Sequence, residues 1–252
     1  MQERLSQIVA LVEEHQKMSV KDLSACLNVS EVTIRKDLNA LEDGGVLTRE
    51  HGYAVKKDAA DIRNRMSISY DTKISIAQEA LALVDDNETV MIGSGSTCAL
   101  FAESLAQNKP NVTIITHSAY VAEHVSKLGN NKIILLGGLY QGSSQTNVGG
   151  LVRLCAREFY VTKMFIGTDG FIPNVGFMGS DMIRTEAIKA MAASAKDLIV
   201  LTDSSKFGHG GNILQFSQYE ISRIITDEGI SPQYLDLFKN CGVKVTIAKR
   251  HS

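Results

Sequence analysis

Residues 29–54 read VSEVTIRKDLNALEDGGVLTREHGYA, and their spacing decides what the N-terminal part of the chain becomes. Ile34, Leu38 and Leu41 recur at i, i+4 and i+7, the apolar stripe of an amphipathic helix. Ser30 stands where an N-cap accepts hydrogen bonds from the open amides of a first turn. Gly44-Gly45 ends the stripe, as glycine does beyond a helix C-terminus. With the stripe facing inward, Val32, Arg35, Lys36 and Asn39 turn outward and Thr33 lies at the flank. The next stretch, VLTREHGYAVKK, predicts a small hairpin around His51-Gly52.

Upstream, Leu5, Ile8, Val9 and Val12 fall on one face of a first helix. Ser19 then caps a short second helix with Val20, Leu23 and Leu27, and a break at Asn28-Val29 leads back to Ser30. Two short helices joined by a tight turn, a glycine stop and a basic hairpin fit a winged helix-turn-helix. The outward face offers charged and amide donors suited to phosphates and base edges. Contacts to double-stranded DNA are therefore expected from Ser30, Thr33, Arg35, Lys36 and Asn39. Arg49 and His51 of the wing would reach the adjacent backbone or minor groove. The topology alone leaves a second reading open, a three-helix bundle that binds a protein.

Charge does not choose between them. The 252-residue chain has a formal net charge of -2, and residues 1–57 hold eight Lys and Arg against nine acids. A DNA-binding head must then gather its basic groups on one face. With 44% apolar and 21% charged residues, the chain has the composition of an ordinary globular protein of one or two domains. Cys26, Cys98, Cys155 and Cys241 are scattered without a CxxC pair, so neither a metal, a disulfide nor a cofactor is expected. MQERLSQIVALVEEHQK puts acids through what would be a signal peptide's apolar core, and no apolar run approaches a membrane span. A cytoplasmic protein with no membrane partner is the expectation.

The pattern changes near residue 57. Residues 1–57 form the head, 58–72 read as a polar linker with room for a short helix, and 73–252 form a larger domain. There, seven strand-like runs (TVMIG from Thr89, NVTIIT from Asn111, KIILL from Lys132, KMFIG from Lys163, DLIVLTD from Asp197, RIITD from Arg223 and VKVTIA from Val243) alternate with helical ones. That alternation implies an α/β fold with a parallel sheet covered on both faces. Polar residues gather where strands end, which is where such sheets bind ligands. Gly93-Ser94-Gly95-Ser96-Thr97 joins a strand to an apolar helix, so Ser94, Gly95, Ser96 and Thr97 could cradle an anion at a helix N-terminus. A tight structural turn is the alternative there. Thr116 and Ser118, Gly138, Asp169, and Asp203 with Lys206 stand at four further strand ends. Hydroxyls, carboxylates and a lysine at one sheet edge suit a ligand with a phosphate and several hydroxyls. Taken singly, each is a common turn or cap residue.

The 29–54 stretch resembles the DeoR family of bacterial regulators, whose recognition helix reads Val-Ser-x-x-Thr-Ile-Arg-Arg/Lys-Asp-Leu and whose wing ends in His-Gly-Gly. Tyr53 departs from the second wing glycine. The resemblance implies a winged helix-turn-helix followed by a Rossmann-like sensor domain similar to ribose-5-phosphate isomerase. GSGST is similar to the phosphate loop of that fold and DSSK to its Asp-x-Ser-Lys signature. Thr185-Glu186 lies where the isomerases carry their catalytic acid, which adds Glu186 to the candidate effector contacts. Asp169 matches the first aspartate of the isomerases' Asp-Gly-Ala-Asp loop, but Ile172 replaces the second and the Lys-Gly-Gly-Gly run is absent. With those groups missing, no catalytic residue is expected. Gly93 replaces a common aspartate of the family and His117 a common asparagine; the first leaves ligand orientation open, and the second either tunes sugar choice or fills space. The expected function is a repressor of a sugar-metabolism operon, relieved by a phosphorylated sugar and acting as a homo-oligomer, dimer or tetramer. The competing readings are a sugar-phosphate isomerase or deaminase with a DNA-binding head, and an activator or architectural binder with a degenerate pocket.

Overall fold

The computed structural model describes residues 2–43, 47–56 and 62–249, which divide into two compact units, Met1–Asn64 and Arg65–Ser252. The first unit runs α1 (Gln2–His15), β1 (Lys17–Ser19), α2 (Val20–Leu27), α3 (Glu31–Asp43), β2 (Leu47–Glu50) and β3 (Tyr53–Lys56). Ile34, Leu38 and Leu41 of α3 are buried with Ile8 and Val12 of α1, Leu23 of α2, and Leu47 and Ala54 of the wing. The inward stripe read from the sequence is therefore the core of the head. Ser19 caps α2 by accepting the Asp22 amide at 3.0 Å, and Asn28 ends it in the left-handed region at φ 51°. The hairpin turns through His51 at φ 46° and Gly52 at φ 89°, the pair of positive values that a tight two-residue connection needs. Gly44-Gly45, read as the stop of α3, lies outside the described residues. Only β1 was not foreseen, a three-residue strand that pairs antiparallel with β3.

Of the stretch read as linker, the described part carries α4 (Ile62–Ser67) and the first turn of α5 (Tyr70–Leu81). Then follow β4 (Thr89–Ile92), α6 (Ser96–Asn108), β5 (Thr113–Thr116), α7 (Ala119–Val125) and β6 (Ile133–Leu135). A hairpin of β7 (Leu139–Gln141) and β8 (Thr146–Val148) leads to α8 (Gly150–Ala156), β9 (Val161–Ile166), β10 (Gly170–Ile172), β11 (Gly176–Gly179) and α9 (Met182–Ala192). The chain closes with β12 (Ala195–Leu201), β13 (Ile213–Phe216), β14 (Arg223–Asp227), α10 (Pro232–Asn240) and β15 (Lys244–Ala248).

The seven runs read as strands are the seven strands of one parallel sheet, in the order β15-β14-β12-β9-β4-β5-β6. Alternate residues face opposite sides. Phe165 of β9 meets Phe101 of α6, with ring centroids 4.3 Å apart. Its neighbours Met164 and Ile166 join a core with Val152 of α8, Ala187 of α9 and Phe238 of α10. Helices thus cover both faces. The chain lays down β4, β5 and β6 in one direction, then returns to place β9, β12, β14 and β15 on the other side of β4. The reversal falls between β4 and β9, and ligands of such sheets bind outside the strand ends at that point. A three-stranded antiparallel sheet, β10-β11-β13, and the β7-β8 hairpin are additions with no counterpart in the sequence reading.

Candidate functional site

On the head, Ser30 caps α3 by accepting the Thr33 amide at 3.2 Å. Val32, Arg35, Lys36 and Asn39 are exposed, Val32 at 77%. Asp37, the remaining charge of that turn, points inward at 1% exposure and receives Arg4 Nε at 2.6 Å and Nη2 at 3.1 Å. A two-pronged ion pair thus ties α1 to α3 and removes one acid from the outer face. Arg35 leans on Glu31 at 3.3 Å. Arg49 does not project from the wing: its guanidinium donates to Asn39 Oδ1, and its amide donates to Glu42 Oε1 at 3.0 Å. His51 is exposed at the wing tip. Tyr53 sits in β3 opposite Ser19 and Glu50, with Lys17 Nζ 4.8 Å from its ring centroid. A strand residue here has no need of glycine.

In the larger unit, the reversal point is occupied by Gly93–Thr97. The Gly93 amide donates to the Phe165 carbonyl at 2.8 Å, which locks this turn to β9. Gly95 adopts φ 117°, a value L side chains rarely take, and a Cβ there would meet nothing within 4 Å. The space over the turn is open. Gly95 gives α6 no side-chain cap, and among the described residues the hydroxyls of Ser94, Ser96 and Thr97 have no hydrogen-bond partner. Ser96 and Thr97 are 5% and 7% exposed, and Ser94 is half-buried. An uncapped helix start with three uncommitted hydroxyls can receive an anion.

Four cations, Arg65, Lys73, Arg184 and Lys206, are tied to the acids at the neighbouring strand ends, and only Lys206 was announced by a strand-end motif. Asp169, just past β9, accepts the Ser180 amide at 2.9 Å and its hydroxyl at 2.7 Å, and has Arg184 Nη2 at 3.3 Å and Arg65 Nη2 at 3.7 Å. Burial pushes its carboxyl up, but Ser180 and the two guanidinium groups outweigh that and hold it below the usual range. It is therefore a charged acceptor, not a proton shuttle. Arg184 is placed by α9, which Asp181 caps by accepting the Arg184 amide at 2.8 Å while Gln141 of β7 donates to the same carboxylate at 2.7 Å. Lys73, in the first turn of α5, is buried and donates to the carbonyls of Arg65 at 2.5 Å and Ile68 at 2.6 Å. Burial lowers its pKa to about 8; Asp203 opposes this, while Arg65 and Lys206 add to it. Lys73, Arg65, Lys206 and Asp203 are thereby electrostatic neighbours. Lysine inside an apolar helical face gives no periodic signal, which is why the sequence reading passed over it.

The other expected contacts divide. The Thr116 hydroxyl accepts the Ser118 amide at 3.0 Å, and the Ser118 hydroxyl caps α7 by accepting the Val121 amide at 3.2 Å, so both serve the local turn. Gly138 lets the backbone of β8 approach, since a Cβ would lie 2.8 Å from the Val148 carbonyl. Asp203 accepts the Ser205 amide at 3.1 Å in the turn that presents Lys206. Glu186 is exposed on α9, outside the hydrogen-bonded cluster around Asp169. Beside Gly93, at the end of β5, His117 is wholly buried and neither ring nitrogen has a partner. Burial, with Arg184 nearby, lowers its pKa to about 4. Among the described residues no cluster of three or more His, Cys, Asp or Glu is placed for a metal ion, and no helix is long and apolar enough to cross a membrane.

Two family models match the chain, one over each unit. Residues 4–59 match the model of the DeoR-like helix-turn-helix domain and residues 68–228 that of the DeoR C terminal sensor domain. The chain is 30% identical over 251 residues to the HTH-type transcriptional regulator GolR of Listeria innocua, covering 98% of each protein. It is 30% identical over 242 residues to the lactose phosphotransferase system repressor of Lactococcus lactis subsp. lactis, covering 93% of this chain and 94% of the repressor. Among solved structures, ribose 5-phosphate isomerase A of Methanocaldococcus jannaschii aligns over 55% of each chain with a TM-score of 0.41 and 22% identity.

Proposed function

Because the chain belongs to the DeoR family of DNA-binding transcription regulators, we propose that it represses a sugar-metabolism operon in the cytoplasm and leaves its operator when a phosphorylated sugar binds the larger unit. The observation that carries the effector half is the open, uncapped start of α6, with the free hydroxyls of Ser94, Ser96 and Thr97 at the reversal point of the sheet. In this reading the phosphate rests on Ser94–Thr97, with the positive end of α6 beneath it. Lys206, with Arg65 and Lys73 beside it, supplies the countercharge, and Asp169, Asp203 and Arg184 face the sugar hydroxyls. Thr116, Ser118 and Gly138 shape the wall. Glu186 would reach the ligand only from the rim.

On DNA, Thr33, Arg35, Lys36 and Asn39 would enter the major groove, with Ser30 at the helix start and Arg49 and His51 beside the backbone. One head reads a short site, so a homo-oligomer presenting two heads is part of the proposal. Leu151 and Leu154 of α8, at 59% and 57% exposure, and the exposed Met182 and Ile183 of α9 support self-association of the larger unit. Ligand can release the operator only by binding one arrangement of the oligomer better than another.

Gel-shift titration of the full chain on DNA from upstream of its own gene, with a panel of sugar phosphates, is the test. At least one compound should weaken DNA binding tenfold or more, and Lys206→Met should abolish that response while leaving DNA affinity intact. DNA binding indifferent to every compound would remove the effector half of the proposal. Lys206→Met retaining full response would remove the assigned contact.

A further inference from the structure

His117 holds two polar atoms with nothing to bond. Its side chain is at 0% exposure and both Nδ1 and Nε2 lack partners. The segment around it is fixed: the Asn147 amide donates to its carbonyl at 2.7 Å, and Thr116 and Ser118 on either side bond each other. These bonds hold the backbone of His117 at the end of β5. Register places it next to the anion cradle, since Thr116 pairs with Ile92 and His117 follows beside Gly93. Arg184 is the charged group that acts on it. Buried polar atoms are almost always satisfied, so an orphan pair on one ring calls for a partner.

We propose that His117 is a specificity-determining residue, which reads the hydroxyl pattern of the sugar whose phosphate sits at the start of α6. This rests on the preceding reading of the site as a phosphorylated-sugar pocket. A neutral imidazole has one donor and one acceptor nitrogen. It can accept the hydrogen of one sugar hydroxyl and donate to a second oxygen, which an apolar side chain cannot imitate. A site built to bond a hydroxyl discriminates strongly against a ligand that lacks it, because the protein's own groups are then left unpaired.

The test uses the full-length chain, with His117→Phe to fill the space without polar atoms and His117→Asn to keep an amide. Thermal midpoints are titrated with ribose 5-phosphate, fructose 1-phosphate, fructose 6-phosphate, glucitol 6-phosphate and inorganic phosphate. The expected result has three parts: His117→Phe is at least as stable as wild type without ligand, loses tenfold or more in affinity for the preferred sugar phosphate, and keeps its weak affinity for inorganic phosphate. His117→Asn should change the order of preference among the sugars. Unchanged affinity and ranking in His117→Phe would overturn the proposal, as would an equal loss for inorganic phosphate, which would mark a general collapse of the cradle. Should His117→Phe not fold, nitrogen-detected NMR of the wild-type ring decides: a shift of its resonances on adding the preferred sugar phosphate supports the proposal, and unmoved resonances overturn it. If no sugar phosphate moves the wild-type midpoint, the pocket reading itself fails and this proposal falls with it.

Discussion

A ring buried as completely as that of His117 takes up a proton only against the loss of its hydration and against Arg184, so its pKa lies at about 4. An unfolded chain binds that proton near pH 6.5. Between those values the unfolded state holds more protons than the folded one, and stability must fall as the pH drops through the window. The slope from this group approaches about 1.4 kcal/mol per pH unit. Urea unfolding between pH 6.5 and 4.5 should show it in wild type and lack it in His117→Phe; matching slopes would refute the assignment. Charge on the head is tested in the same residue-by-residue way. Replacing Lys36, exposed on α3, with Ala should lower the steepness of log affinity against log salt by about 0.9, the share of one neutralised phosphate. An unchanged slope would mean that this face does not meet DNA. At this scale the sequence named the strand-tip hydroxyls and Asp169, because their types and positions speak directly. It missed Arg65, Lys73 and Arg184, which reach the cluster from α4, α5 and α9 and become visible only when the strand ends are brought together.

Elements long enough to show a period were legible. Each of the seven parallel strands has an apolar run, which the five inner strands need because both of their faces are covered. The strands not foreseen are β1, β7, β8, β10, β11 and β13, of three or four residues each, too short for alternation to emerge. Their existence depends on partners far along the chain, as when β11 pairs with β13 across the whole of α9. For α3, the cap is the part that can be isolated. Ser30→Ala removes the acceptor of the Thr33 amide and should lower head stability by about 1 kcal/mol, read as a shift in the urea midpoint. No shift would mean that water replaces the hydroxyl at no loss.

For the molecule as a whole, α8 and α9 set an expectation about copies. Leu151 and Leu154 stand three residues apart on α8 and Met182 begins α9, all of them exposed. A stable dimer hides about 800 Å² on each partner, and a face carrying such side chains contributes the apolar centre of that area. Leu151→Asp combined with Leu154→Asp should shift sedimentation toward a smaller species and weaken operator binding at least tenfold, because two linked heads bind far better than one. An unaltered sedimentation profile would place the interface elsewhere. Net charge was silent on DNA binding for a reason that also appears only at this scale. The head's acids are not removed but are turned or paired, Asp37 inward to Arg4, Glu31 to Arg35 and Glu42 to the Arg49 amide.

Arg65 is the first residue of the larger unit, and it is held at two atoms: its carbonyl receives Lys73 Nζ, and its guanidinium lies 3.7 Å from Asp169. The larger unit is thus pinned at its first residue from two sides, by α5 through Lys73 and by the end of β9 through Asp169. Removing either Lys73 or Asp169 would therefore free one end of that residue while the other stayed held.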